Sequence, residues 1–283
     1  MSISNFMQSL ESRVLFSVDT SSVALYTASG QAGATIEKHM ALFVLVHGDE
    51  SNESDMVPMA LSVEAQLPAN QYQVLILDWS QIASSLTNAY TNAVAVGGAL
   101  ATMIKTSRIP ISRVNLIGFS MGGTVISGTA KDLQSRRSKV NLMVGIDPAT
   151  QAYLNPDFAG ASKYSICFCG NDTFGQTVGS LSADDAVLLT GLPSDQLDRH
   201  VDVFSVVSNM WQQDIGNSDG SDSTVASLFS IPSLLHDTKP LDWKEKGFYD
   251  NWEAIMACGG DSDDPVAMSL SYVDVRNHTV TIE

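Results

Sequence analysis

The sequence predicts a single α/β domain: a doubly wound, mostly parallel sheet flanked by helices. Three observations predict it. Short, continuously apolar runs recur along the chain, as strands buried on both faces require. Helical patterns separate them, so strand and helix alternate and the crossovers are right-handed. Residues capable of chemistry stand just after several of the runs, at the carboxyl ends where such sheets collect their sites. A length of 283 residues suits one large domain of this kind.

Each element has its own signal. Residues 42–46 (LFVLV) form an apolar run that ends at His47-Gly48, and 74–77 (VLIL) end at Asp78-Trp79. Residues 114–117 (VNLI) end at Gly118, and 142–146 (LMVGI) end at Asp147-Pro148. Residues 201–207 (VDVFSVV) are read as a fifth strand. Between the second and third runs, 88–105 place Ala89, Ala93, Val96, Leu100, Met103 and Ile104 near one helical face, and Pro110 closes the segment. A second helix is expected over 121–133, directly after the third strand.

Composition narrows the class. Hydrophobic residues make up 44% and charged residues 16%, which is a globular balance. Fifteen Lys and Arg against 31 Asp and Glu give a net charge of −16, a surface that repels phosphate backbones and excludes nucleic acid as the expected partner. No stretch reaches the roughly 18 apolar residues of a membrane helix. Cys167, Cys169 and Cys258 lack zinc-ligand spacing and are read as buried thiols. The acidic stretches 216–223 and 259–265 lack EF-hand spacing and are read as solvated loops, so no metal is expected.

At the N-terminus, residues 8–17 (QSLESRVLFS) resemble the LEPR-type motif of exported proteins in planctomycete-like bacteria, with Ser12 where that motif has proline. The resemblance implies export from a bacterial cell; an ordinary amphipathic N-terminus would leave the chain cytoplasmic. Residues 1–20 are accordingly set apart from a domain spanning 21–283.

The sharpest signal is Gly118-Phe119-Ser120-Met121-Gly122, a G-x-S-x-G pentapeptide between an apolar strand and a small-residue helix. A strand-to-helix turn this tight strains its central residue and presses the residues two before and two after it against backbone, so both must be small. Ser120 is therefore the candidate nucleophile, with the Met121 N–H at the helix N-terminus as a donor to an oxyanion.

Four segments taken in order (LFVLVHG, VLILDWS, VNLIGFSMGG and MVGIDPA) resemble the pancreatic-lipase-like branch of the α/β hydrolases. They depart from its pattern at Phe119, where histidine is usual, and at Met121. The resemblance implies a lipase or carboxylesterase working through a Ser-Asp-His triad without a cofactor. It assigns the acid to Asp147 and the second oxyanion donor to the N–H of Asp49, an unusual residue there because its carboxylate would oppose a developing negative charge.

Chain order in this fold is nucleophile, acid, histidine, which leaves His200, His236 and His278 as bases. His236 is preferred: it lies in a loop-like segment, and its separation from Asp147 is close to that usual in the family. His200 would sit at the wrong end of the expected strand over 201–207. His47 is read as a structural hydrogen-bonding residue and Asp78-Trp79 as a buttress. Residues 208–235, mixed apolar and polar, are a candidate lid or insertion with transient contact to a lipid surface. Rival readings are an inactive binding protein with this fold, or a hydrolase of amides or thioesters.

Overall fold

The computed structural model describes residues 22–83, 89–135, 138–149, 156–170, 182–190, 196–216, 230–236 and 269–273. Strands β1 (Ala24–Thr27), β2 (Ala41–Val46) and β3 (Tyr72–Asp78) are followed by β4 (Val114–Phe119) and β5 (Val140–Ile146). Then come β6 (Ser162–Gly170), β7 (Asp185–Thr190) and β8 (Ser269–Val273). They make one sheet in the order β1-β3-β2-β4-β5-β6-β7-β8. All neighbours run parallel except at the edges, where β1 pairs antiparallel with β3 and β8 with β7.

The described helices are α1 (Glu53–Ala65), α2 (Ser80–Ala83), α3 (Ala89–Ser107), α4 (Gly122–Leu133), α5 (Phe158–Ala161), α6 (Gln196–Gly216) and α7 (Ile231–His236). Each parallel strand sends alternate side chains to opposite faces, and both faces are covered. Phe43, Leu45, Ile117 and Val144 pack with α1, α6 and α7. Leu42, Val44, Leu116 and Met143 pack with α3 and α4. This accounts for the unbroken apolar strands: neither face meets water.

The chain leaves β2 toward β3 on one side and returns to place β4 on the other, so the winding reverses at β2. Crevices at such reversals, beyond the carboxyl ends of the strands, are where ligands bind in open α/β sheets. The loop after β2 is short because α1 starts at once. Asn52 caps it: its side chain accepts the Ser54 N–H at 2.9 Å, and the Asp55 carboxylate accepts the Asn52 N–H at 3.2 Å. This pins residues 49–52 over the end of β2.

Residues 201–207 are not a strand. They lie inside α6, where Val203, Val206, Val207, Met210 and Trp211 are all buried. Their spacing is that of one helical face, and the seven-residue window VDVFSVV was too short to separate it from alternation. The remaining parallel strands of the sheet are β6 and β7, and β6 contains the buried free thiols Cys167 and Cys169.

The segment read as a lid is described only at 208–216 and 230–235, and some of those residues are buried. Met210, Trp211, Ile231 and Leu234 belong to the packed cluster under the sheet. The Gln66 side chain joins α6 to α7, donating to the Trp211 carbonyl and accepting the Ile231 N–H, each at 2.8 Å. Residues 217–229 lie outside the described residues, as do the N-terminal motif, Cys258, His278 and the acidic stretch 259–265.

Candidate active site

Ser120 occupies the turn between β4 and α4 with φ of 53°, a left-handed conformation that is costly for a residue with a side chain. Two glycines make the turn sterically feasible. A Cβ on Gly118 would lie 2.4 Å from the Gly122 carbonyl oxygen, and one on Gly122 would lie 2.2 Å from that of Val46. Neither contact is tolerable, so glycine is required at 118 by the turn itself and at 122 by packing against β2. Backbone hydrogen bonds hold the strained residue in place. The Ser120 N–H donates to Ile146 at 3.0 Å, while its carbonyl accepts from Gly123 and Ala149, each at 2.9 Å.

Those bonds also tie the turn to the end of β5, where Asp147 stands with φ of 41°. Asp147 is 2% exposed, and both of its carboxylate oxygens are engaged. One accepts the Gly170 N–H at 3.0 Å, and the other is hydrogen-bonded to Nδ1 of His200. A carboxylate can only accept, so Nδ1 carries the proton.

Among the described residues, the histidine hydrogen-bonded to Asp147 is His200, where the sequence had favoured His236. The reason is the misread strand. With 196–216 helical, His200 lies in an early turn of α6, after the carboxyl end of β7 and on the functional edge of the sheet. His236 is the last residue of α7. The His200 ring is also fixed by stacking on Phe119, with centroids 4.8 Å apart and planes at 24°. Phe204, one turn along α6, packs against the other member of that pair at 4.8 Å. Phe119, which the sequence marked only as a departure from the resembled pattern, is thus a wall for the imidazole.

Met121 and Asp49, the two residues expected to supply oxyanion donors, both line the cavity that contains Ser120 and His200. Met121 stands at the start of α4, and Asp49 follows Gly48 at the end of β2. Neither carboxylate oxygen of Asp49 is exposed to solvent or accepts a hydrogen bond of normal geometry among the described residues. Burial raises its carboxyl above the ordinary value, outweighing the lowering effects of the Glu50 N–H and the His47 ring; the Glu50 carboxylate adds to the rise.

Behind the site, His47 is fully buried, with Nδ1 2.7 Å from the Gly48 carbonyl and Nε2 3.0 Å from Asp78. The Trp79 indole donates to the His47 carbonyl at 3.0 Å and stacks on the ring. Burial acts to raise the Asp78 carboxyl, but hydrogen bonds from His47 and Ser80 outweigh it and hold the group below its ordinary value. These contacts lock the end of β2 to the end of β3.

The cavity has a volume of about 720 Å³, of a size that suits a small organic ligand. Among the described residues, no three His, Cys, Asp or Glu side chains gather to hold a metal ion. No described helix is long and apolar enough to cross a membrane.

The strand order, the antiparallel β1 at one edge and the serine turn after β4 define the α/β-hydrolase fold. The family model described as "Putative serine esterase (DUF676)" matches residues 36–162, less than half of the chain. That stretch runs from before β2 to the start of β6 and includes Ser120 and Asp147 but not His200. No curated protein matches the sequence. Among solved structures, an esterase of Pyrobaculum calidifontis is similar at 12% identity and a TM-score of 0.36, over 64% of this chain and 78% of that one. A CIB-like hydrolase of Thermoplasma acidophilum is similar at 18% identity and a TM-score of 0.36, over 55% and 72%. A hormone-sensitive lipase from a metagenome library is similar at 14% identity and a TM-score of 0.34, over 50% and 63%.

Proposed function

We propose that this protein is a serine hydrolase that cleaves carboxylic esters through a covalent acyl-serine. The observation that carries the reading is that His200, hydrogen-bonded to the buried Asp147, lines the same cavity as the strained Ser120. Asp147 holds Nδ1 of the imidazole, so Nε2 is the nitrogen that takes the Ser120 proton as Oγ attacks the ester carbonyl. The N–H groups of Met121 and Asp49 bind the resulting oxyanion. His200 then protonates the departing alcohol, and water attacks the acyl-serine with His200 again as base. The chemistry needs no cofactor.

A fluorophosphonate probe tests this. Labelling confined to Ser120 and abolished in Ser120→Ala is the expected result. A protein that leaves the probe unreacted under conditions where it is folded would instead be a binding protein with a hydrolase fold.

A further inference from the structure

Asp147 holds one edge of the His200 imidazole, accepting the Nδ1 proton. A single hydrogen bond leaves the ring free to turn about the axis of that bond. A proton acceptor has to be held within about 10–20° of its working orientation, so a second contact is needed to remove that freedom. Phe119 provides it. Its ring stacks on the face of the imidazole, with centroids 4.8 Å apart and planes at 24°.

The same side chain ties two distant pieces of chain together. Phe119 ends β4 and immediately precedes Ser120. His200 and Phe204 stand four residues apart on α6 and so share one face of it. Phe119 meets both, the second at 4.8 Å with planes at 46°. Phe119 and Phe204 are in turn packed against the core under the sheet. One aromatic side chain thus sets the position of the base against the residue beside the nucleophile.

Ring chemistry adds a second effect. His200 is 8% exposed, so the charge it gains with the Ser120 proton has little water to stabilise it. The face of an aromatic ring is electron-rich and attracts a cation within roughly 6 Å of its centroid, most strongly where water is excluded. Phe119 meets that condition. The attraction is absent while the imidazole is neutral and grows as the proton moves onto it. It therefore favours the transition state over the ground state.

We propose that Phe119 is a positioning residue for the reaction, holding the plane of His200 and stabilising its imidazolium through the ring face. This rests on the ester-hydrolase reading above.

The test is turnover of p-nitrophenyl acetate by the wild type, Phe119→Leu and Phe119→Tyr. Leucine keeps apolar bulk and removes the ring, whereas tyrosine keeps the ring. Phe119→Leu should lower kcat by about 10- to 100-fold with KM within about threefold, and Phe119→Tyr should hold kcat within about fivefold of the wild type. A loss confined to KM makes Phe119 a wall for substrate alone and overturns the inference. So does a kcat in the tyrosine variant no higher than in the leucine variant. A wild-type measurement decides the matter even where a variant fails to fold. The ring protons of His200, identified by their loss in His200→Gln, should resonate upfield of a free imidazole because they lie over the Phe119 face. Signals at the free position overturn the inference and leave the hydrolase reading standing. Absence of fluorophosphonate labelling at Ser120 overturns the hydrolase reading itself, and this inference with it.

Discussion

At the scale of single residues, the acid–base pair and the unsatisfied carboxylate make distinct predictions. His200→Ala should lower kcat for p-nitrophenyl acetate by about 10⁴-fold or more, the loss expected when a triad base is removed. His236→Ala, changing the last residue of α7, should retain activity within about threefold under the same assay. Asp49 makes a prediction about stability. Its carboxyl is raised in the folded protein, so between the unfolded and folded pKa values the native state binds more protons, and stability falls as pH rises through that window. Asp49→Asn lacks this loss. The variant should therefore melt higher than the wild type at pH 7, and the advantage should shrink as pH falls toward the ordinary aspartate value of about 4. Thermal melts at the two pH values measure it; a lower Tm at neutral pH would show that the carboxylate is satisfied after all.

Elements explain what the sequence could and could not reveal. Strands β2 to β5 were legible because a strand buried on both faces has to be apolar throughout. The serine turn was legible because its two glycines are forced by contacts of 2.4 and 2.2 Å. His200 was hidden by a problem of period. Its segment carries the helical stripe Val203, Val206, Val207, Met210 and Trp211, which becomes clear only when the window extends past 207. Helix α1 was hidden for another reason, since Pro58 lies within it. Helices α3 and α4 pack backbone to backbone at Gly97. There the Thr129 hydroxyl donates to the Gly97 carbonyl at 3.1 Å, and a Cβ on Gly97 would lie 2.7 Å from the Val125 carbonyl. Gly97→Ala should force these helices apart and cost about 1–3 kcal/mol in urea unfolding, despite alanine's better helix propensity. A stabilised variant would mean that the contact relaxes freely.

Across the whole molecule, the acidic balance sets both stability and approach. With a net charge of −16, the folded chain repels itself, and added salt relieves that repulsion. Raising NaCl from about 10 to 150 mM should increase Tm by roughly a few degrees, whereas a flat response would mean that local ion pairing dominates. If the proposed ester hydrolysis holds, the same field should draw cationic esters and slow anionic ones. Their relative kcat/KM should narrow over that salt range, because long-range steering is screened beyond about 8–10 Å.

Helix α6 has a consequence for any attempt to reshape the cleft. It supplies the imidazole through His200 and part of the cavity lining through Leu197, Val201 and Phe204. A displacement that made room for a bulkier acyl chain would carry the proton acceptor away with the obstacle. Access and turnover are thus geared to one rigid body. Widening the cleft therefore calls for trimming side chains along that helix rather than moving it.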